Sequence, residues 1–312
     1  MKVMEGRVHT RRREFAGEGG IRLVGDESGE GHQPLVLLLH GGGQTRHSWL
    51  RTQKKLTAAG LHVVSLDLRG HGESGWSTTK DYGLDRFAAD VSEVLAQLGN
   101  VPTVLVGASL GGLCSMLVAG ERMIDWLEGV ILVDVVHRAN PAGVSNIRGF
   151  MHQRHDGFAS VEEAAEAVAK YLPHRKSGGS LNGLRRNLRE KQGRWYWHWD
   201  PAFVAPREDG TYRRIDADRL IKAVQRVDVP TLLLRGELSE IVTDDLATEF
   251  IGLLPGAEQR VIPGARHMVA GDDNEIFTNA VLEFLHGLVL RSGLPAVSRQ
   301  NAVPISLSRG TL

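Results

Sequence analysis

The sequence predicts an α/β protein, in which a doubly wound, mainly parallel sheet is interrupted by an inserted helical cap. Two observations carry this prediction. Short apolar runs alternate with helix-length segments through the first half of the chain, which is the pattern of βαβ units buried on both faces. The alternation then stops at residue 137 and resumes only at residue 230. We therefore expect one sheet whose strands come from both ends of the chain.

Four apolar runs in the first half have the length and composition of central strands. Helix-length segments with helical spacing lie between and after them, and Asp85 stands near the start of one of these as a helix-capping residue. Because a helix between two strands allows parallel pairing, this order predicts a doubly wound sheet. The strands are residues 35–39, 62–66, 103–106 and 130–136, and the helices are residues 49–59, 84–98 and 110–119.

Residues 137–229 carry helical patterning without a buried strand run, and we call them the cap segment. Its helical stretches are residues 161–171, 184–188 and 217–227, and aromatic residues cluster at 195–199. Strand signals resume at residues 231–235 and 259–262, followed by a closing amphipathic helix at about 274–290. We therefore expect a core of residues 1–136 and 230–291, the helical cap 137–229, and a loose C-terminal tail 292–312 without regular patterning.

Composition excludes several classes of protein. The 37 basic and 37 acidic residues cancel to a net charge of zero, so no large basic surface for nucleic acid or an acidic membrane is expected. The single cysteine, Cys114, cannot form an intramolecular disulfide, which excludes disulfide-rich scaffolds. The N-terminus has no apolar run of signal-peptide length, and no stretch has the apolar length of a membrane span. We expect a soluble, cytoplasmic protein.

The sharpest motif is Gly-Ala-Ser-Leu-Gly at residues 107–111, directly after a predicted strand and before a predicted helix. In this context only small residues fit two positions on either side of the serine, because the turn is very tight. The turn presents the serine hydroxyl at the carboxyl edge of the sheet, next to a helix N-terminus. A chance glycine-rich turn is the alternative. The strand–turn–helix context favours Ser109 as a nucleophile.

A glycine run, His40-Gly41-Gly42-Gly43, follows the predicted strand 35–39. A flexible backbone here can direct an N–H toward a carbonyl oxygen, and the N–H of Leu110, next to the serine, can supply a second donor. We predict Gly42 and Leu110 as the oxyanion hole. The alternative, that the glycines merely let the chain turn, does not explain their place directly after this strand.

These segments resemble the α/β-hydrolase fold family in their order, and the resemblance covers nearly everything from residue 21 to residue 290. The chain looks like the capped, esterase-like members, a group often labelled cofactor-free peroxidases or esterases. It implies a lid inserted after the sixth strand, where the cap segment lies. The matching segments are HGGGQTRHSW, DLRGHGESGW from Asp67, GASLGG from Gly107, RGELSEIV from Arg235 and PGARHMV from Pro263.

The resemblance implies the chain order serine, acid, histidine, and this order selects the base. His267 is the candidate, because it follows the last strand signal in a glycine-bearing loop. Arg266 stands where many family members have glycine, so it could tilt the imidazole or place a cation at the rim of the pocket. His40 and His71 are expected to have structural, hydrogen-bonding roles.

Two residues compete for the acid that orients the histidine. Glu240 follows the strand 231–235 by five residues, where the family places this carboxylate. Asp134 is the alternative, because it ends the run 130–136 and some family members carry the acid there. Asp244 and Asp245 fit the first turn of the following helix, where acidic side chains complement the helix dipole. We predict Glu240, with Asp134 as the alternative.

The resemblance implies a serine hydrolase that cleaves a carboxylic ester or lactone of a small hydrophobic substrate through an acyl-enzyme, without metal or cofactor. Carbon–carbon bond hydrolysis and perhydrolysis use the same residues and remain alternatives, and a ligand receptor on this scaffold is the non-enzymatic one. Dinucleotide binding is rejected, because HGGGQT lacks the Gly-x-Gly-x-x-Gly pattern.

The only expected ligand is a small-molecule substrate, with no nucleic acid or membrane partner, and the oligomeric state is left open, a homodimer included. Aromatic rings with a polar edge suit a half-wet pocket mouth. We therefore predict Trp195, Trp197 and His198 of the cap segment as substrate-binding residues. Anchoring of these rings in the protein interior is the alternative.

Overall fold

The computed structural model describes residues 9–154, 156–173, 181–206, 212, 215–267 and 275–292. Apart from Ser292, the predicted tail lies outside these residues. The described strands, in chain order, are β1 (Thr10–Ala16), β2 (Arg22–Ser28), β3 (Leu35–Leu39), β4 (His62–Asp67), β5 (Thr103–Ala108), β6 (Leu127–Val133), β7 (Leu188–Lys191), β8 (Arg194–Trp197), β9 (Thr231–Gly236) and β10 (Glu258–Ile262).

Helices lie between and after these strands, and two short 3₁₀ turns cover Glu18–Gly20 and Arg46–Trp49. Within the described ranges, no helix combines the length and the apolar character needed to cross a membrane. The helices are α1 (Leu50–Ala58), α2 (Leu84–Leu98), α3 (Leu110–Gly120), α4 (Pro141–Met151), α5 (Val161–Tyr171), α6 (Leu181–Arg185), α7 (Pro201–Val204), α8 (Ala217–Val224), α9 (Asp244–Leu253) and α10 (Glu275–Ser292).

One sheet of eight strands forms the centre of the molecule, in the order β1-β2-β4-β3-β5-β6-β9-β10. The pairs β1–β2 and β2–β4 are antiparallel, and all the others are parallel. Alternate residues of β3 face opposite sides: Leu37 and Leu39 enter one buried apolar cluster, and Val36 and Leu38 enter the other. Both faces of the sheet are therefore covered, which confirms the predicted doubly wound α/β fold.

The sequence pattern did not reveal β1, at one edge of the sheet, or its neighbour β2. β1 reads Thr-Arg-Arg-Arg-Glu-Phe-Ala, and only Phe15 of this strand is buried. Its charges pair across the strands, since Arg11 and Arg13 both contact Glu27 of β2. A charged edge strand such as β1 lacks the apolar run by which a buried strand is recognised in a sequence.

The cap segment contains a β-hairpin where the sequence predicted only helices. Strands β7 and β8 pair antiparallel, so the predicted helix at 184–188 is wrong: α6 ends at Arg185, and Leu188 begins a strand. Gln192 and Gly193 connect the strands with φ of +53° and +74°. Such a turn matches the twist of a two-residue hairpin. Pairing with β8, which no local pattern encodes, decides the conformation here.

Helix α8 lies within the sequence range of the cap segment but packs on the core. Leu220, Ala223 and Val224 belong to the main apolar cluster of the sheet. The approach to α3 is so close that a Cβ on Gly120 would lie 2.0 Å from the carbonyl oxygen of Ala223. The rest of the cap segment, α4 to α7 with the hairpin, therefore connects β6 of the sheet to a helix that packs on the sheet.

Gly120→Ala should lower the free energy of unfolding by about 2–3 kcal/mol, because the added methyl group forces α3 and α8 apart at their backbones. The matched control is Gly252→Ala in α9, where a Cβ would meet no atom within 4 Å. That change should raise stability by up to about 1 kcal/mol, the helix-propensity gain of alanine. Urea denaturation measures both, and equal tolerance of the two substitutions would contradict the close α3–α8 packing.

Candidate active site

Ser109 lies at the turn between β5 and α3, half-buried, with φ of +45°. This backbone conformation is strained for a residue with a side chain, and tight surroundings must maintain it. A Cβ on Gly107 would lie 2.4 Å from the backbone of Gly111, and one on Gly111 would lie 2.4 Å from the carbonyl oxygen of Leu39. The two glycines of the motif thus let β5, α3 and β3 touch through their backbones and hold Ser109 at the carboxyl edge of the sheet.

The glycine run after β3 lies against this turn, since a Cβ on Gly41 would lie 3.3 Å from Ser109 Cβ. Gly41 N–H donates to Gln44 Oε1 at 3.0 Å, and Gly43 N–H donates to His71 Nε2 at 3.1 Å. The N–H between them, that of Gly42, has no acceptor among the described residues. Of the three glycine N–H groups, the predicted oxyanion donor is the one left open.

The second predicted donor, Leu110 N–H, occupies the first position of α3. The first N–H groups of a helix have no acceptor within the helix. The hydroxyl of Ser109, which precedes α3, does not cap them either. Neither predicted donor thus has an acceptor in the part of the chain that the structure describes, and the helix dipole adds positive potential at Leu110.

The carboxylate of Asp134 follows β6 and is fully buried, with backbone φ of +49°. Its Oδ1 accepts the N–H of Gly236 at 2.9 Å, and its Oδ2 accepts the Nδ1–H of His267 at 2.8 Å. Because Nδ1 carries the proton, Nε2 is left as the basic nitrogen. The imidazole side chain retains 15% exposure. β5, β6, β9 and β10 are neighbours in the sheet, so Ser109, Asp134 and His267 follow strands of the same edge.

The prediction that Glu240 orients His267 is corrected by this arrangement. The Glu240 carboxylate is half exposed and forms an ion pair with Arg266. Arg266, the residue that departs from the family pattern, thus holds Glu240 at the surface, while the buried alternative, Asp134, contacts the imidazole. Asp244 and Asp245 begin α9 behind the Thr243 cap, as predicted.

Three buried histidines form a second layer behind the glycine run. The ring centres of His40 and His71 are 5.1 Å apart, and those of His71 and His198 are 5.8 Å apart. Each ring accepts one backbone N–H: His40 Nε2 accepts from Leu68 at 3.0 Å, and His198 Nδ1 accepts from Gly72 at 2.8 Å. A protonated imidazole has no acceptor nitrogen, so these contacts require the neutral form.

Two of these histidines hold Gly43 from opposite sides. His71 Nε2 accepts its N–H, and His198 Nε2–H donates to its carbonyl oxygen at 3.1 Å. His198 was predicted to bind substrate, but both of its ring nitrogens are occupied by backbone groups. The ring therefore links the cap segment to the glycine run and has no free polar atom for a substrate.

Burial disfavours the charged form of all three rings. It lowers the pKa of His40 to about 4, and together with the neighbouring His40 it lowers that of His71 to about 3. Burial also holds the pKa of His198 well below the ordinary 6.5. The hydrogen bonds and the desolvation thus act in the same direction.

Aromatic and apolar side chains of the cap segment contact the glycine run. The Phe203 ring lies 3.4 Å from the position of a Cβ on Gly42, and Met151 Cε lies 3.0 Å from that on Gly43. Trp199 Cζ3 is 3.5 Å from the latter position. Neither Phe203 nor Met151 was selected from the sequence, because nothing in the local pattern reveals which cap residue faces this loop.

The predicted substrate-binding tryptophans lie further along the same aromatic layer. Trp197 stacks on Trp199 with ring centres 4.9 Å apart. Trp195 packs against the apolar cluster around Phe158, which the Trp197 ring also contacts, and the guanidinium of Arg185 lies over the Trp195 ring at 4.8 Å. The structure therefore brings Trp197 to the layer that covers the glycine run and keeps Trp195 among anchoring contacts.

The unfolding free energy should fall as the pH is lowered from about 6.5 toward 5. The folded-state pKa values of the three histidines lie below those of the unfolded chain, so the unfolded chain binds protons first. His198→Gln removes one such group and should reduce the slope by up to about 1.4 kcal/mol per pH unit. His32→Gln, on a 78% exposed side chain, is the control and should leave the slope unchanged. Identical slopes in both variants would contradict the neutral buried state of His198.

The sequence of this chain is similar to those of several known proteins. A sequence profile of the α/β-hydrolase fold matches residues 34–274. The chain is 29% identical over 274 residues to the sn-1-specific diacylglycerol lipase ABHD11 of Mus musculus, covering 82% of each chain. It is 28% identical over 273 residues to esterase Rv0045c of Mycobacterium tuberculosis, covering 83% of this chain and 84% of the esterase.

Among solved structures, that of E-2-(acetamidomethylene)succinate hydrolase superposes with a TM-score of 0.75 at 22% identity, covering 89% of this chain and 99% of that one. This likeness concerns the fold. The profile, by contrast, matches the sequence itself over most of its length. The chain belongs to the α/β-hydrolase fold family.

Proposed function

We propose that this hydrolase cleaves carboxylic esters or lactones of small hydrophobic substrates, with Ser109, His267 and Asp134 as its catalytic triad. The observation that carries the proposal is the hydrogen bond from His267 Nδ1 to the buried Asp134, at the sheet edge where the strained Ser109 turn also lies. The relatives named above, a lipase and an esterase, support ester hydrolysis as the reaction class.

In the proposed mechanism, His267 Nε2 takes the proton of Ser109 Oγ as the oxygen attacks the substrate carbonyl. The negative charge that develops on the carbonyl oxygen is stabilised by the N–H groups of Gly42 and Leu110. The imidazolium, stabilised by Asp134, then protonates the departing alcohol. A water molecule, deprotonated by the same nitrogen, attacks the acyl-enzyme and releases the acid and the serine.

In this mechanism, Asp134 acts by fixing the tautomer of His267. A carboxylate on Nδ1 fixes the proton there, so that Nε2 faces the reaction as a base. No hydrogen bond to another described residue has to break before the N–H groups of Gly42 and Leu110 bind an oxyanion. Donors of this kind give a large part of the rate enhancement in acyl transfer.

A small-molecule substrate with a hydrophobic acyl group suits the side chains nearest the glycine run. Phe203 lies beside Gly42, and Met151 and Trp199 lie beside Gly43, so the three provide apolar and aromatic surface along the glycine run. A pocket lined by such side chains with a few convergent polar groups is typical of small-molecule sites. We propose that these three residues, with Trp197 behind them, form the acyl-binding wall.

Ser109→Ala and His267→Ala should each lower kcat for p-nitrophenyl esters by about 10³-fold or more, because the two residues act as one unit. For the same reason, the double variant should lose little more than either single variant. The assay is initial-rate hydrolysis, and circular dichroism checks folding. A Ser109→Ala protein that keeps more than a few per cent of wild-type kcat would contradict the nucleophile assignment.

The acid is distinguished by a matched pair of neutral substitutions. Asp134→Asn should lower kcat by about 10²–10⁴-fold, because the amide favours the wrong imidazole tautomer. Glu240→Gln is the control and should leave kcat within about threefold, since it breaks only an exposed ion pair. The reverse pattern would return the role to Glu240.

Substrate preference should depend on Phe203 more than on Trp195. Phe203→Ala removes a ring from the Gly42 side of the site, so we expect kcat/KM for long-chain esters to rise relative to short-chain esters by about tenfold. Trp195→Ala removes an anchoring ring and should lower Tm while leaving this ratio unchanged. A panel of p-nitrophenyl esters of increasing acyl length measures both. A changed ratio in Trp195→Ala alone would relocate the acyl-binding wall.

A further inference from the structure

Ser239, in the loop between β9 and α9, has a hydroxyl that is fully engaged beside the proposed triad. Its Oγ lies 2.5 Å from Asp134 Oδ2, and the backbone N–H groups of Ile241 and Val242 donate to it at 3.1 Å and 3.0 Å. A backbone N–H can only donate, so the serine oxygen accepts twice. Its own proton is thereby directed at the carboxylate.

Ser239 donates to the same carboxylate oxygen of Asp134 that accepts the hydrogen bond from His267. Asp134 Oδ2 accepts both the Ser239 hydroxyl and the Nδ1–H of His267, while Oδ1 accepts the N–H of Gly236. Two of these three donors thus come from the end of β9 and the loop that follows it. They fix the plane of a carboxylate that is carried by β6, and this plane sets the direction of the imidazole.

We propose that Ser239 is a positioning residue for the hydrolysis. It holds the Asp134 carboxylate in the orientation that His267 requires, and it shares part of the carboxylate charge. This inference rests on the proposed function, since Ser239 acts through Asp134 and not on the substrate. Of the charged groups in this loop, Glu240 pairs at the surface with Arg266 of the loop after β10, and the Glu237 carboxylate accepts the N–H of Gly264.

A purely structural role would have a different signature. By accepting the N–H groups of Ile241 and Val242, the Ser239 hydroxyl also shapes its own loop. Thr243 offers a matched case in the same loop: its hydroxyl accepts the N–H of Leu246 and caps α9, and its contacts do not include Asp134. Loss of the Thr243 hydroxyl therefore weakens the loop while the carboxylate keeps its donors.

The experiment compares Ser239→Ala, Ser239→Thr and Thr243→Ala by pH profiles of kcat and kcat/KM with a p-nitrophenyl ester. Ser239→Ala should lower kcat by about tenfold, the order expected for one hydrogen bond to a charged group, with KM within about twofold. The acid limb of its profile should move upward by about half a pH unit, because an unshared carboxylate charge stabilises the imidazolium more strongly.

The other two variants isolate the hydroxyl. Ser239→Thr keeps the donor and should retain the wild-type pH profile, with kcat within about threefold. Thr243→Ala should lower Tm and leave both kcat and the profile unchanged. If Ser239→Ala does not fold, Ser239→Cys preserves the side-chain shape with a weaker donor and should show the same shift to a smaller extent.

An unchanged kcat and profile in Ser239→Ala would overturn the positioning role. So would a loss of activity in Thr243→Ala equal to that in Ser239→Ala, since loop stability alone would then explain both. Asp134→Asn separates this proposal from the proposed function. If Asp134→Asn keeps full activity, the triad itself falls; if Asp134→Asn is inactive while Ser239→Ala is normal, only the role of Ser239 falls.

Discussion

A close backbone approach at the Ser109 turn is the constraint on which the rest of the site depends. β3, β5 and α3 meet where a Cβ at Gly107 or Gly111 would lie 2.4 Å from a neighbouring backbone atom, well inside ordinary contact distance. This packing holds Ser109 at φ of +45° and sets α3 so that its first free N–H lies beside the serine. Local strain of this kind persists only because the surrounding core over-determines it.

A buried carboxylate completes the arrangement from the neighbouring strand. Asp134 is inaccessible to solvent, yet three donors reach its two oxygens, so the cost of burying the charge is offset by hydrogen bonds. Behind the glycine run, buried neutral histidines replace water as partners for backbone groups. The three histidines of this layer are thus held in the neutral form by their contacts, and the cap segment supplies one of them, His198.

The fold and the tight turn that holds Ser109 were predictable because their signals are local. A strand, a small-residue turn and a helix follow one another within residues 103–120, and apolar runs mark the buried strands. The charged strand β1 and the hairpin β7–β8 were not predictable in this way. Their stability comes from pairing with distant residues, such as the contacts of Arg11 and Arg13 with Glu27.

The carboxylate that contacts His267 and the contacts of the buried histidines also depend on residues that are distant in the sequence. Loop position favoured Glu240, but the outcome depended on Arg266 drawing it to the surface and on Ser239 and Gly236 supplying donors to Asp134. The two donors to Asp134 lie 102 and 105 positions away from it in the sequence. In the same way, nothing near His198 in the sequence indicates that Gly43 and Gly72 occupy both of its nitrogens.

Covalent labelling with a fluorophosphonate distinguishes a Ser109 nucleophile, activated through His267 and Asp134, from any other arrangement. We expect one label per chain, located by mass spectrometry on the peptide that contains Ser109, with loss of esterase activity in proportion to labelling. In Asp134→Asn, labelling should be slower by orders of magnitude, because the same proton transfer activates the serine. A label on another residue, or full activity after stoichiometric labelling of Ser109, would contradict the proposed role of Ser109.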